Sequence, residues 1–155
     1  MTQRHLNLQQ LDRVFIFLLS RKDINKKTLF KRLATARLFC MCKKWNQLIW
    51  FGCLRQPSKT VLSYLPISSK RIDSDCLESW FFYTHPSYRW HGIASTIQKK
   101  LFKNALSNTI ISVTRIDNIP MQKILQKCGF IYTGKSYFDA FLQKQVHIYM
   151  HTNNS

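Results

Sequence analysis

ESWFFYTHPSYRWHG, residues 78–92, decides the fold. An apolar, aromatic run from Cys76 to Thr84 reads as a central strand and is stopped by Pro86. After a short turn, Arg89-Trp90-His91-Gly92-Ile93-Ala94 opens an amphipathic helix running from Gly92 to about Leu106. Its Ile93, Ile97 and Leu101 face inward, and Lys99, Lys100 and Lys103 face outward. A strand that turns tightly into a helix leaves the first helical N–H groups without internal acceptors and adds the positive end of the helix dipole. Such a corner suits a pyrophosphate. Gly92 lets a ligand approach the backbone closely.

A second segment stands about two dozen residues on. Asn118-Ile119-Pro120-Met121-Gln122-Lys123-Ile124-Leu125-Gln126-Lys127-Cys128-Gly129-Phe130 reads as a strand end, a short helix, a glycine stop and a new strand. Together the two segments resemble the GNAT superfamily of acyl-CoA-dependent N-acyltransferases. There, V-x-P-x-Y-R-x-x-G-I-G/A precedes a strand and then N-x-x-A-x-x-L-Y-x-K-x-G-F. The chain supplies Thr84-His85-Pro86-Ser87-Tyr88-Arg89-Trp90-His91-Gly92-Ile93-Ala94, and then Asn118 with Gly129-Phe130 at the matching distance. The resemblance covers residues 76–134 closely and the preceding half more loosely.

Length and composition fit one α/β domain over residues 1–155. The longest purely apolar run, Val14–Leu19, is far below the roughly 20 residues of a membrane helix, and no cleavable leader pattern precedes it. The expected setting is cytoplasmic, without membrane attachment, as a monomer or homodimer. Cys40, Cys42, Cys53, Cys76 and Cys128 are odd in number and lack C-x-x-C spacing, so buried free thiols are expected in place of disulfides or a zinc site. No metal site is expected. There is no Walker loop and no G-x-S-x-G elbow, which removes nucleotide-hydrolysing and serine-hydrolase readings. Lys and Arg number 24 against 7 Asp and Glu, a formal net charge of +17 spread along the chain. A basic protein of this kind attracts polyanions, whether a phosphorylated coenzyme, RNA or an acidic protein.

Before the central strand, Thr2–Leu8 reads as a short strand, and Leu11, Val14, Phe15, Leu18 and Leu19 recur at helical spacing. Asp23 or Asn25 caps a second helix through Leu29 and Leu33. Arg37–Lys43 and Gln47–Leu54 form a hairpin, and Gln56–Asp75 is a long connection with room for another short strand. Thr109–Ile116 is a β-branched strand, and Phe130–Phe138 pairs with Gln145–His151 around a turn containing Asp139. The order β-α-α-β-β-β-α-β-α-β-β agrees with the family. The resemblance implies a mixed, mostly antiparallel sheet of six to seven strands, about four helices, and a splay between central strands that admits a pantetheine arm.

The resemblance also implies acetyl-CoA as co-substrate and an amine as acceptor. Pyrophosphate contacts then fall on Arg89, Trp90, His91, Gly92, Ile93 and Ala94, mostly through their amides, with Arg89 alternatively bracing the loop. A backbone N–H near Tyr83 or Thr84 meets the oxyanion and pairs with pantetheine, and Asn118 lies near the pantetheine end or caps its helix. Glu78 occupies a strand position where some members carry a general base, in an apolar setting with Trp80 and Phe82. Its alternative is a plain ion pair with a lysine. Asp73, Asp75 and Glu78 form a local acidic spot suited to a cationic amine. The family's usual tyrosine acid is replaced by Leu125, leaving Tyr132, Tyr137 or Cys128 to substitute, or a thiolate that departs unaided.

Two functions of different classes follow. One is an N-acetyltransferase acting by direct attack of a primary amine on the thioester. The other is a weakly catalytic module on the same scaffold whose basic surface holds RNA or an acidic partner. The retained Arg89–Ala94 corner favours the enzyme. The acceptor stays open between small amines and RNA-linked or ribosomal amines.

Overall fold

Side chains alternate across each strand, giving the sheet two apolar faces, and both are covered by helices. The computed structural model describes residues 2–3, 8–22, 24–65, 76–105 and 109–152. Its strands are β1 (Thr2–Gln3), β2 (Ala36–Lys44), β3 (Gln47–Arg55), β4 (Cys76–Thr84), β5 (Thr109–Arg115), β6 (Ile131–Asp139) and β7 (Lys144–Thr152). They form a seven-stranded sheet in the order β1-β2-β3-β4-β5-β7-β6. The helices are α1 (Leu8–Leu19), α2 (Lys26–Ala34), α3 (Lys59–Ser63), α4 (Ile93–Lys103) and α5 (Ile119–Lys127), with a short 3-10 turn at Pro86–Tyr88.

One face carries α1 and α2: Val14, Leu18, Leu29 and Leu33 pack on Phe39, Met41, Phe51, Cys53 and Trp80. Nearby, Val61 of α3 joins Cys76, Ile111 and Ile148. The opposite face carries α4 and α5, whose Leu101, Phe102 and Leu125 meet Trp50, Leu54, Ile110 and Tyr149. The lysine-bearing sides of α2 and α4 are left to solvent, as amphipathic helices require.

Two irregularities shape the centre of the sheet. The first is a β-bulge. Gly52 opposes Phe82 and Cys53 opposes Trp80, so Phe81 has no partner and adopts φ 50°. The extra residue reverses the alternation beyond it. Trp80 and Phe81 therefore both pack on the α1–α2 face, and Phe82 joins the α4–α5 face. Gly52 makes this possible, because a Cβ there would lie 2.4 Å from the Phe82 ring. The second irregularity is a split. β4 and β5 are parallel and pair only from Cys76 with Thr109 to Ser79 with Ser112. Beyond that rung they diverge.

Several expectations are corrected. The connection after β3 holds a helix, α3, instead of a short strand over its described residues. The described part of the first strand is Thr2–Gln3, and Leu8, expected at its end, belongs to α1. Asn25 is the described cap of α2, its Oδ1 accepting from Lys27 N at 3.1 Å. Asp23, Asp73 and Asp75 lie outside the described residues.

Candidate active site

The split between β4 and β5 opens on both faces of the sheet. On the α4 side lies a cavity of about 530 Å³, walled by Thr84, Arg89, Gly92, Ala94 and the α5 lysines Lys123 and Lys127. Gly92, at φ 70°, has nothing within 4 Å of the place a Cβ would take. Its carbonyl accepts from Thr96 N at 3.1 Å, Ser95 Oγ at 2.9 Å and Thr96 Oγ1 at 3.0 Å, which fixes the corner. No side chain among the described residues caps α4. Its first amides, Ile93, Ala94 and Ser95, therefore point outward as free donors. Lys123 and Lys127 stand one turn apart on α5 and, with Arg89, add positive charge to the same cavity.

The divergence also frees strand groups. His85 N donates to Ile49 O at 2.7 Å. Antiparallel alternation then turns the Tyr83 N–H toward β3 and the N–H groups of Phe82 and Thr84 toward the split. The Thr84 carbonyl, on that open side, accepts from Arg89 Nε at 3.2 Å.

A second cavity, also of about 530 Å³, lies on the other side among α2, the start of α3 and the β6–β7 turn. Phe82, Arg115, Asn118 and Met121 line both cavities and connect them through the split. Its wall holds Glu78, which is buried. Arg55 Nη2 bridges both carboxylate oxygens, at 3.0 Å and 3.1 Å, and Ser58 N donates to Oε2 at 2.8 Å. Ser58 is in turn the N-cap of α3, its Oγ accepting from Val61 N. Trp80 lies between two guanidiniums, with Arg32 Cζ at 5.7 Å and Arg55 Cζ at 5.6 Å from its ring. Asp139 uses Oδ1 to accept from Phe141 N and Leu142 N. Tyr137 stacks on Tyr64 at 5.0 Å. Burial first, then the charges of Glu78 and Asp139, push its phenol up to about 12.

The structure brings Thr84, Arg89, Trp90, Gly92, Ile93, Ala94 and Asn118 together around the first cavity, with Tyr83 on the same strand. His91 is not among its lining residues, and its Nδ1 lies 2.7 Å from Arg89 O. Asn118 caps α5, its Oδ1 accepting from Met121 N at 3.3 Å, while lining both cavities.

Two candidates have surroundings that the sequence does not foretell. Glu78 is a paired carboxylate tied to Arg55 and to α3, not a free proton acceptor among Trp80 and Phe82, since the bulge sends Phe82 to the other face. It therefore offers no open negative charge to a cationic amine. Tyr132 stands on the edge strand outside both cavities, with its hydroxyl 2.8 Å from Ser136 Oγ and its ring against His147. Leu125 is fully buried in the core. Arg32, Arg55, Asp139, Lys123 and Lys127 were not read as site residues. Arg55 meets Glu78 only through the β3–β4 register, which no local pattern carries, whereas the lysines show in their four-residue spacing on α5.

Comparison with known proteins agrees with this architecture. The chain's residues 11–130 match the model of the acetyltransferase (GNAT) family, so the chain belongs to that family. Among solved structures it is similar to a Bacillus subtilis acetyltransferase in complex with CoA, with TM-score 0.67 and 14% identity over 99% of this chain and 97% of the other. NAA60 of Arabidopsis thaliana in complex with acetyl-CoA gives TM-score 0.70 and 12% identity, with 100% of each chain covered. A GNAT family acetyltransferase from Elizabethkingia anophelis with acetyl-CoA bound gives 0.68 and 14%, over 98% and 97%. Such identities establish a shared fold. No curated protein sequence matches the chain. No helix among the described residues is long and apolar enough to cross a membrane.

Proposed function

We propose that the protein is an N-acetyltransferase that moves an acetyl group from acetyl-CoA to a primary amine by direct attack, with no covalent enzyme intermediate. The observation that carries this reading is the split between β4 and β5, which joins an uncapped helix start on one face to a polar cavity on the other. Relatives of the same fold hold CoA or acetyl-CoA.

The residues present fit the co-substrate. The open Gly92 corner and the amides of Ile93, Ala94 and Ser95 suit a diphosphate, with Arg89, Lys123 and Lys127 supplying charge. The outward groups of Phe82 and Thr84 suit the pantetheine amides. Bound acetyl-CoA supplies an activated acyl carbon and a thiolate able to depart. The protein's part is to orient the amine, receive its proton and meet the charge that develops on the carbonyl oxygen. The Phe82 N–H, aimed into the split just after the bulge, is the donor for that oxygen. Of the two carboxylates in the acceptor cavity, Glu78 already accepts three hydrogen bonds from two donor atoms, and Asp139 keeps Oδ2 without a hydrogen-bond partner among the described residues. Asp139 takes the proton in this reading, and Glu78 holds the wall.

The test is thermal melting with and without acetyl-CoA, followed by CoA-thiol release across a panel of amines. Acetyl-CoA should raise the melting temperature, and Gly92→Val, which fills the corner and strains a left-handed residue, should remove that rise. Absence of both the rise and thiol release in the unaltered protein overturns the proposal.

A further inference from the structure

The acceptor cavity holds a cation that nothing in its described wall neutralises by contact. Arg32, half-buried on α2, lies against the Trp80 ring and has no ion pair among the described residues. Burial, and then the neighbouring Arg55, lower its pKa. The ion pair of Glu78 among the described residues is with Arg55. One buried atom of the same wall, Arg55 Nε, lacks a hydrogen-bond partner among the described residues. Arg55 holds Glu78 through Nη2 alone. Across the cavity, Asp139 offers an open carboxylate oxygen. The same cavity therefore presents a half-buried guanidinium without an ion pair and a carboxylate oxygen without a hydrogen-bond partner among the described residues.

We infer that Arg32 anchors an oxyanion carried by the acceptor, so that the substrate is a small amine also bearing a carboxylate or phosphate, with its amine toward Asp139. Arginine suits this role because its planar fork grips either oxyanion through paired hydrogen bonds. The inference rests on the acyl-transfer reading. It also gives a contact partner to a half-buried arginine that stands beside another arginine.

The experiment uses matched amines that differ in the anionic group: alanine and alaninamide, 4-aminobutyrate and butylamine, phosphoethanolamine and ethanolamine. Melting is followed with CoA present and at constant ionic strength, which removes unspecific effects of the basic surface. Turnover is followed by thiol release. In the carboxylate arm or the phosphate arm, the anionic member should raise the melting temperature and its neutral twin should not. Arg32→Gln should abolish the rise and Arg32→Lys keep part of it. Where turnover occurs, Arg32→Gln should raise the amine KM about 10- to 100-fold, with kcat and the acetyl-CoA KM little changed. The inference fails if neutral twins act as well as anionic ones, if no anionic member has an effect, or if Arg32→Gln keeps the preference. An anion-dependent rise lost in Arg32→Gln, without any response to acetyl-CoA, would instead sink the acyl-transfer reading and leave the anion site standing.

Discussion

Glu78 ties three pieces of the molecule together: β4, its cross-strand partner Arg55, and the first turn of α3. Removing its charge leaves Arg55 buried and unpaired, so Glu78→Gln should cost about 3–5 kcal/mol in urea unfolding. Replacing the pair together, with Arg55→Met and Glu78→Leu, should cost far less, since no buried charge remains. Turnover retained in that double variant shows that Glu78 acts as scaffold, whereas Asp139→Asn should lower kcat about 100-fold if Asp139 receives the proton. Tyr137 provides a pH readout. Its phenol ionises near 10 ordinarily and near 12 in the fold. Below pH 10 both folded and unfolded chains keep the proton; as pH rises from 10 to 12 the unfolded chain loses it first, and stability falls. Tyr137→Phe should flatten that part of the stability curve. At this scale the sequence was only half legible. It exposed Glu78 as an acid within an aromatic strand, but the partner of a buried acid depends on the register between β3 and β4, and Arg55 stands 23 residues away.

Among the elements, β4 and its flanking turn were readable because an aromatic run, a proline and a glycine punctuate them sharply. The bulge at Phe81 was not: where every residue from Leu77 to Tyr83 except Glu78 and Ser79 is apolar, the alternation carries no phase. α3 escaped for a different reason, since five residues hold too little periodicity, although Pro57-Ser58 is a proper helix opening. The bulge gives a sharp test. Gly52→Ala places a methyl group against Phe82 at 2.4 Å. Overpacking of this kind costs about 1–3 kcal/mol, and Phe82→Leu in the same chain should recover part of it. Because Phe82 also lines both cavities, Gly52→Ala should raise the KM for acetyl-CoA as well.

For the whole molecule, charge and thiols give separate predictions. A net charge of +17 favours polyanions in general, and the reading in which this surface holds RNA predicts tight binding of tRNA at low salt with a steep loss as salt rises. No measurable binding at low salt dismisses it. Cys40, Cys53, Cys76 and Cys128 are buried, and burial holds the Cys76 thiol up to about 11, so at neutral pH it stays protonated. In the folded protein iodoacetamide should therefore modify Cys42 first, and the other four only on unfolding. Mass spectrometry of alkylated peptides counts them directly.

The parted strands leave one more trace. Along β4, the Tyr83 and His85 amides are locked to β3, while those of Phe82 and Thr84 face the open gap. In deuterium oxide, neighbouring amides of a single central strand should thus keep two clocks: one set by global opening and the other by contact with solvent. A ligand lodged in the gap would bring the fast clock close to the slow one, and residue-resolved NMR would record the change at two sites in the middle of the sheet.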